Sequence, residues 1–326
     1  MDIYRAVLTP HSATRTPWQA DTLFGHLCWT KRFLDGETAL TDFLEAFTEE
    51  PPLVISNGFP GDWLPKPLIP LTPQVAGRNK SAQVDAMQEA KTGKGVRWIS
   101  REVFENYRAG RPEPPAETSE LIERRTVLKN AINRLTGGTS ALEEDQGAGN
   151  LYNTDELMFV DTEGGGRSGL SISLYVKVAD QTWADEAKRL LDALAAGGYG
   201  AKKSAGYGHF VIEAWGPFDG FQPIPENDAN GFISLSNWVP AASDPTEGYY
   251  ATLVKYGKLG ESLAASENPF KFPLVMLTAG SAFFSDGPPR EWYGRLVSGV
   301  APGHPHVVQY GLAFVLPANL GETRNV

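Results

Sequence analysis

The sequence predicts an α+β fold: a strand–helix–strand unit repeated once, then a region that is mostly β. Three observations carry this. Two amphipathic helical stripes, near 20–34 and 181–197, are each flanked by short strand-like runs. A polar stretch broken by proline and glycine separates the two units. Beyond residue 228, strand-like runs recur with no long helical stripe between them.

Taken in order, "DIYRAVLTP" alternates as a first strand, with Ile3, Arg5 and Val7 against Tyr4, Ala6 and Leu8. "ADTLFGHLCWTKRFL" follows a polar turn. Asp21 is its expected N-cap, and Leu23, Phe24, Leu27, Cys28, Lys31 and Leu34 form its stripe. Leu40, Phe43, Leu44 and Phe47 mark a second short helix. "PPLVISNGFPGDWLPKPLIP" reads as a strand and then extended chain, because proline removes ladder donors. Residues of about 74–166 look inserted, and within them "VRWISREVFENYR" is expected to be one basic amphipathic helix. "RSGLSISLYVKV" is a strand with Leu170, Ile172, Leu174 and Val176 on one face. "QTWADEAKRLLDALAAGG" is a helix with Thr182 and Asp185 as an expected capping box and Gly197 at its end. "YGHFVIEAW" is a strand with Phe210, Ile212 and Ala214 on one side. This order is the βαββαβ plan of a ferredoxin-like domain. The expected division is 1–216, a linker at 217–228, and a second, mostly β domain at 229–326 that is a degenerate copy of the first.

The net charge is −10, which argues against free, non-specific nucleic-acid binding. The charge is uneven: residues 78–134 hold twelve basic and eight acidic groups inside an otherwise acidic chain. That segment reads as a solvated helical face or as a track for a polyanion. One cysteine, Cys28, allows no disulfide framework and argues against a zinc site. His304 and His306 make an HxH pair stiffened by Pro305, with no accompanying carboxylate motif. No cofactor and no metal is expected. Without a signal-like N-terminus or a long apolar run, the cytoplasm is the expected location, with no membrane partner.

The stretch "GGYGAKKSAGYGHF" carries five glycines and adjacent lysines. A dinucleotide fingerprint needs strand, loop, helix, and here the order is helix, loop, strand. A Walker loop needs glycine before its Lys-Ser/Thr, and here Lys202 stands there. Two readings stay open. The glycines make a C-cap and a tight turn, or main-chain N–H groups with Lys202 and Lys203 cradle a sugar–phosphate chain. On the second reading Tyr199 and Tyr207 stack on bases.

This loop resembles the glycine-rich loop of the RAMP superfamily of CRISPR proteins. "DTLFGHLCW", "FPGDWLPKPLIP", "LKNAINRLTGGT" followed by "LYNTDELMF", "FKFPLVMLTAGSAFF" and "HPHVVQYGLAFVLP" are similar to the fourth subunit of type III-A Csm effector complexes, in order along nearly the whole chain. The resemblance implies two ferredoxin-like RAMP domains, the first with a thumb-type insertion. It implies a non-catalytic subunit that caps the 5′ handle of the crRNA and joins the large polymerase/nuclease subunit to the backbone RAMP filament, meeting target RNA only indirectly. Carried onto this sequence, Gly197, Gly198, Tyr199, Gly200, Lys202, Lys203, Ser204, Gly206, Tyr207 and Gly208 would hold handle phosphates and sugars. Asp21 and His26 would stand beside them. Arg124, Arg125, Lys129, Asn130, Asn133 and Arg134 would lead into the thumb, inside the net-basic segment. The alternative is a metal-independent RAMP endoribonuclease that uses His26 as acid or base.

Overall fold

The computed structural model describes residues 1–70, 95–115, 120–132, 138, 151–161 and 168–321. The chain opens with β1 (Asp2–Pro10), runs through α1 (Ala20–Asp35) and α2 (Glu37–Glu45), and returns as β2 (Leu53–Pro60). A ribbon of β3 (Trp63–Pro65) and β4 (Trp98–Ser100) leads into α3 (Arg101–Arg108). The long antiparallel pair β5 (Ile122–Asn130) and β6 (Leu151–Asp161) follows, with β7 (Ser168–Gly169) on its edge. Then come β8 (Ile172–Val178), α4 (Gln181–Gly197) and β9 (Phe210–Pro217).

The first sheet has the order β2-β8-β1-β9, antiparallel throughout. Tyr4, Ala6 and Leu8 of β1 lie opposite Val176, Leu174 and Ile172 of β8 and share their face. α1 and α4 pack together against β2 and β9, and Tyr4 Oη donates to Gln181 at the start of α4. β8 is buried along its whole length, not on one face alone. Its other face meets the C-terminal region: Tyr175 approaches Phe314, and Lys177 Nζ bonds Glu291 at 2.6 Å. A central strand covered on both sides needs no polar alternation.

The second sheet contains β10 (Gly231–Ser234), β11 (Gly248–Tyr249), β14 (Ala282–Phe284), β15 (Trp292–Gly294) and β16 (Leu312–Ala318), in the order β11-β14-β10-β16-β15. β12 (Thr252–Lys255) and β13 (Leu274–Leu277) form a separate pair. The run "GYYATLVKY" holds both β11 and β12, and "FPLVMLTAGSAFF" holds β13 and β14, divided at the Thr278–Ser281 turn. One hydrophobic cluster, including Phe24, Tyr175, Tyr310 and Phe314, joins the two sheets. A smaller one gathers Phe232, Trp238, Phe283 and Tyr293. No helix among the described residues is long and apolar enough to cross a membrane.

Several local expectations change. Gln19, not Asp21, is the N-cap of α1, and it makes no side-chain cap. Asp180 caps α4 by accepting from Trp183 N at 3.1 Å, which places Thr182 inside the helix. "VRWISREVFENYR" divides at Ser100, which accepts from Val103 N: a strand precedes it and α3 follows. Leu34 is exposed, and Ala214 faces outward.

Candidate nucleic-acid interface

α4 ends at Gly197, and Gly198 carries the chain away with φ +79°. The loop then closes on itself, with Tyr199 N donating to Gly208 O at 2.8 Å. A Cβ on Gly208 would lie 1.8 Å from Tyr199 O, so no other residue fits this closure. A Cβ on Gly200 would lie 2.9 Å from Thr16 Cβ. Gly200 N instead donates to His26 Nε2 at 2.9 Å. Tyr199 is fully buried: its ring stacks on Trp18 at 4.0 Å and its hydroxyl donates to Pro17 O. Its expected base-stacking role is therefore corrected, because the core already holds both of its faces.

The outer arc of the loop differs. Ala201, Lys202, Ser204, Ala205 and Gly206 are exposed. Lys202 has left-handed backbone (φ 63°, ψ 33°), a 3₁₀ turn covers Lys203–Ala205, and Gly206 returns to positive φ with open space where a Cβ would stand. The main-chain N–H groups of Lys202, Lys203 and Ser204 donate to no group among the described residues. A left-handed residue followed by right-handed turn residues makes a concavity of N–H dipoles suited to an anion. Lys202 and Lys203 add charge at its rim. Lys203 Nζ also pairs with Glu261 at 2.7 Å.

His26 sits under this arc. Burial, with Lys203 nearby, lowers its pKa to about 4, although Glu261 opposes the shift. The neutral imidazole accepts the Gly200 N–H, so Nε2 has no free lone pair for base catalysis. Asp21 is buried, and its Oδ2 takes Lys255 Nζ at 2.8 Å and Gln309 Nε2 at 2.7 Å. It ties α1 to the C-terminal region and does not face the loop surface, which corrects its expected place beside the RNA.

The basic strand β5 stands next to the loop. Glu156 of β6, buried, accepts from Arg125 Nε at 2.9 Å and from Tyr207 Oη at 2.5 Å, with Lys129 Nζ 3.5 Å away. Lys129 also donates to Tyr207 Oη and lies over its ring. Tyr207 is thereby buried as the pin between loop and strand, and the expectation that it stacks on a base is corrected as well. Arg124 and Asn130 are exposed on the opposite face of β5. Asn133 and Arg134 lie outside the described residues.

The chain resembles known proteins along most of its length. No protein-family model matches it. A Streptococcus thermophilus protein described as "CRISPR system Cms protein Csm4" is 26% identical over 278 residues, covering 81% of each chain. Over most of its length the chain is therefore similar to Csm4 of a type III-A CRISPR system. A chain from a Csm1–Csm4 cassette crystallised with pppApA superposes with TM-score 0.60 at 19% identity, covering 99% of this chain and 100% of that one. A chain from a Csm3–Csm4 subcomplex of the type III-A CRISPR-Cas interference complex gives TM-score 0.61 at 15% identity, covering 98% and 100%. They share its mixed α/β fold of antiparallel sheets.

One part of the interface escaped the sequence reading. The segment 11–16 forms the seam between loop and β6. Gly208 N donates to Ala13 O, and Thr14 exchanges main-chain bonds with Leu157 at 2.9 and 2.7 Å. His11 and His209, both exposed, meet edge to face at 5.3 Å. Arg15 Nε is buried with no hydrogen-bond partner. The one signal was a polar basic run, "HSATR", held between Pro10 and Pro17.

Proposed function

We propose that this chain is a Csm4-type, non-catalytic RNA-binding subunit of a type III-A effector complex, in which the 201–206 arc grips the sugar–phosphate chain of the crRNA 5′ handle. The observation that carries the reading is the concavity of unpaired N–H groups at Lys202, Lys203 and Ser204, rimmed by lysines and flanked by the basic strand β5. RNA recognition of this kind relies on phosphate and 2′-hydroxyl contacts to splayed nucleotides, which a flexible ammonium and main-chain donors suit. Arg124 and Asn130, with Asn133 and Arg134, extend the grip toward the thumb.

The finer architecture follows the same reading: two ferredoxin-like RAMP domains at 1–216 and 229–326, joined by a linker at 217–228, with the insertion of about 74–166 as thumb. The order β2-β8-β1-β9 supports the first of these. The partners are the large subunit and the first backbone subunit, as in the Csm1–Csm4 and Csm3–Csm4 structures, in a cytoplasmic complex. The ribonuclease alternative is disfavoured because His26 holds the loop with the nitrogen that catalysis would require.

Co-purification of the tagged chain with its partner subunits, followed by sequencing of the bound RNA, tests this. Small RNAs sharing one 5′ tag are expected, and the Lys202→Ala/Lys203→Ala pair should lower their yield without unfolding the chain. Cleavage of RNA by the isolated chain, abolished in His26→Ala, would overturn it.

A further inference from the structure

Among the described residues two non-glycine positions have positive φ, Lys202 at 63° and Glu261 at 49°. They come from distant parts of the chain and meet in one place, for Glu261 Oε1 is the 2.7 Å partner of Lys203 Nζ. Left-handed backbone is disfavoured for residues with a side chain, so both approaches to this ion pair are held against a local preference. Glu261 is held there by its surroundings. Leu259 is buried and its N–H donates to Pro269 O at 2.7 Å, and Lys271 N donates to Gly257 O at 2.9 Å. Gly260 lies against the Trp29 indole on α1, where a Cβ would come within 3.2 Å of Nε1. The C-terminal region thus delivers a carboxylate to the rim of the anion cradle.

We infer that Glu261 is a specificity-determining residue of the loop: its carboxylate occupies Lys203 as an internal stand-in for phosphate, and RNA must displace it. This rests on the RNA-binding reading of the loop. An ammonium is a point charge without a fixed fork and exchanges one oxyanion for another readily. An anion with a single phosphate gains little, since it replaces an ion pair already made. A polyanion that also engages Lys202 and the N–H concavity gains contacts that Glu261 does not supply. The carboxylate therefore filters for chains over single phosphates. Once displaced, Glu261 lies close to a phosphate and repels it, so its presence weakens binding in the chain that carries it.

The test is fluorescence anisotropy of the full chain with a labelled, unstructured single-stranded RNA, competed with inorganic phosphate and AMP. The variants are Glu261→Gln, Glu261→Gly, Lys203→Met and the Lys203→Met/Glu261→Gln double. Glu261→Gly removes the charge and relieves the left-handed backbone together, so it keeps the test valid if Glu261→Gln unfolds. Both Glu261 variants should bind RNA roughly two- to fivefold more tightly, as expected for removing a partly exposed competing ion pair. The gain should be largest at low salt and should vanish in the Lys203→Met background. Phosphate and AMP should compete better against the Glu261 variants than against wild type. If Lys203→Met weakens RNA binding but neither Glu261 variant tightens it, the inference fails and the RNA reading survives. If no variant binds RNA, alone or in the assembled complex, the RNA reading fails and takes this inference with it.

Discussion

Gly200 and Gly206 lie in one loop at nearly the same φ, +79° and +86°. A Cβ on the first would strike Thr16, while a Cβ on the second would meet open space. The same contrast separates the neighbours: Tyr199 and Tyr207 are buried, whereas Lys202 and Ser204 are exposed. One stretch of similar composition therefore does two jobs. Its inner half closes the fold, joining α4, α1, the 11–16 segment and β6. Its outer arc is what remains for a ligand. A glycine-rich motif alone does not report which of its glycines serve which purpose; the packing around each one does.

Four substitutions or conditions sharpen that contrast, taken from the largest effect to the smallest. Gly208→Ala should be the most damaging, because its methyl overlaps the Tyr199 carbonyl. A loss of more than about 4 kcal/mol or outright misfolding is expected, read by denaturant unfolding. Acidification comes next. The folded chain holds His26 neutral down to about pH 4, while the unfolded imidazole takes up a proton below 6.5. The unfolded state then binds more protons within that window, so stability is complete above it and falls as pH is lowered. About 2 kcal/mol should be lost near pH 5, and His26→Gln should flatten this dependence. Tyr207→Phe removes a donor from buried Glu156 and should cost about 1–2 kcal/mol by thermal melting. Gly206→Ala meets no clash and should cost only about 1 kcal/mol, from its positive φ. A Gly206→Ala loss as large as that of Gly208→Ala would erase the inner–outer distinction.

The order of strands and helices in the first sheet was legible because amphipathic stripes and glycine stops are local signals. The caps of α1 and α4 were each misplaced by two residues, since Asp21 and Thr182 look as suitable as their neighbours until the chain folds. The roles of Asp21, Tyr199 and Tyr207 were not legible for a different reason. Their partners Gln309, Trp18 and Glu156 lie far away in sequence, and only the tertiary fold brings them together. Lys202 and Ser204 were readable as part of an exposed, basic, glycine-flanked stretch because their exposure depends on no distant partner, whereas the pairing of half-buried Lys203 with Glu261 was not.

The central claim is that the outer arc, and not the tyrosines, touches RNA. Ultraviolet crosslinking of the assembled ribonucleoprotein, followed by mass spectrometry of this chain, tests it most directly. The account predicts nucleotide adducts on the peptide containing residues 201–206, lost in the Lys202→Ala/Lys203→Ala variant, and none on Tyr199. Adducts on Tyr199, or crosslinks confined to surfaces away from this arc, would contradict it.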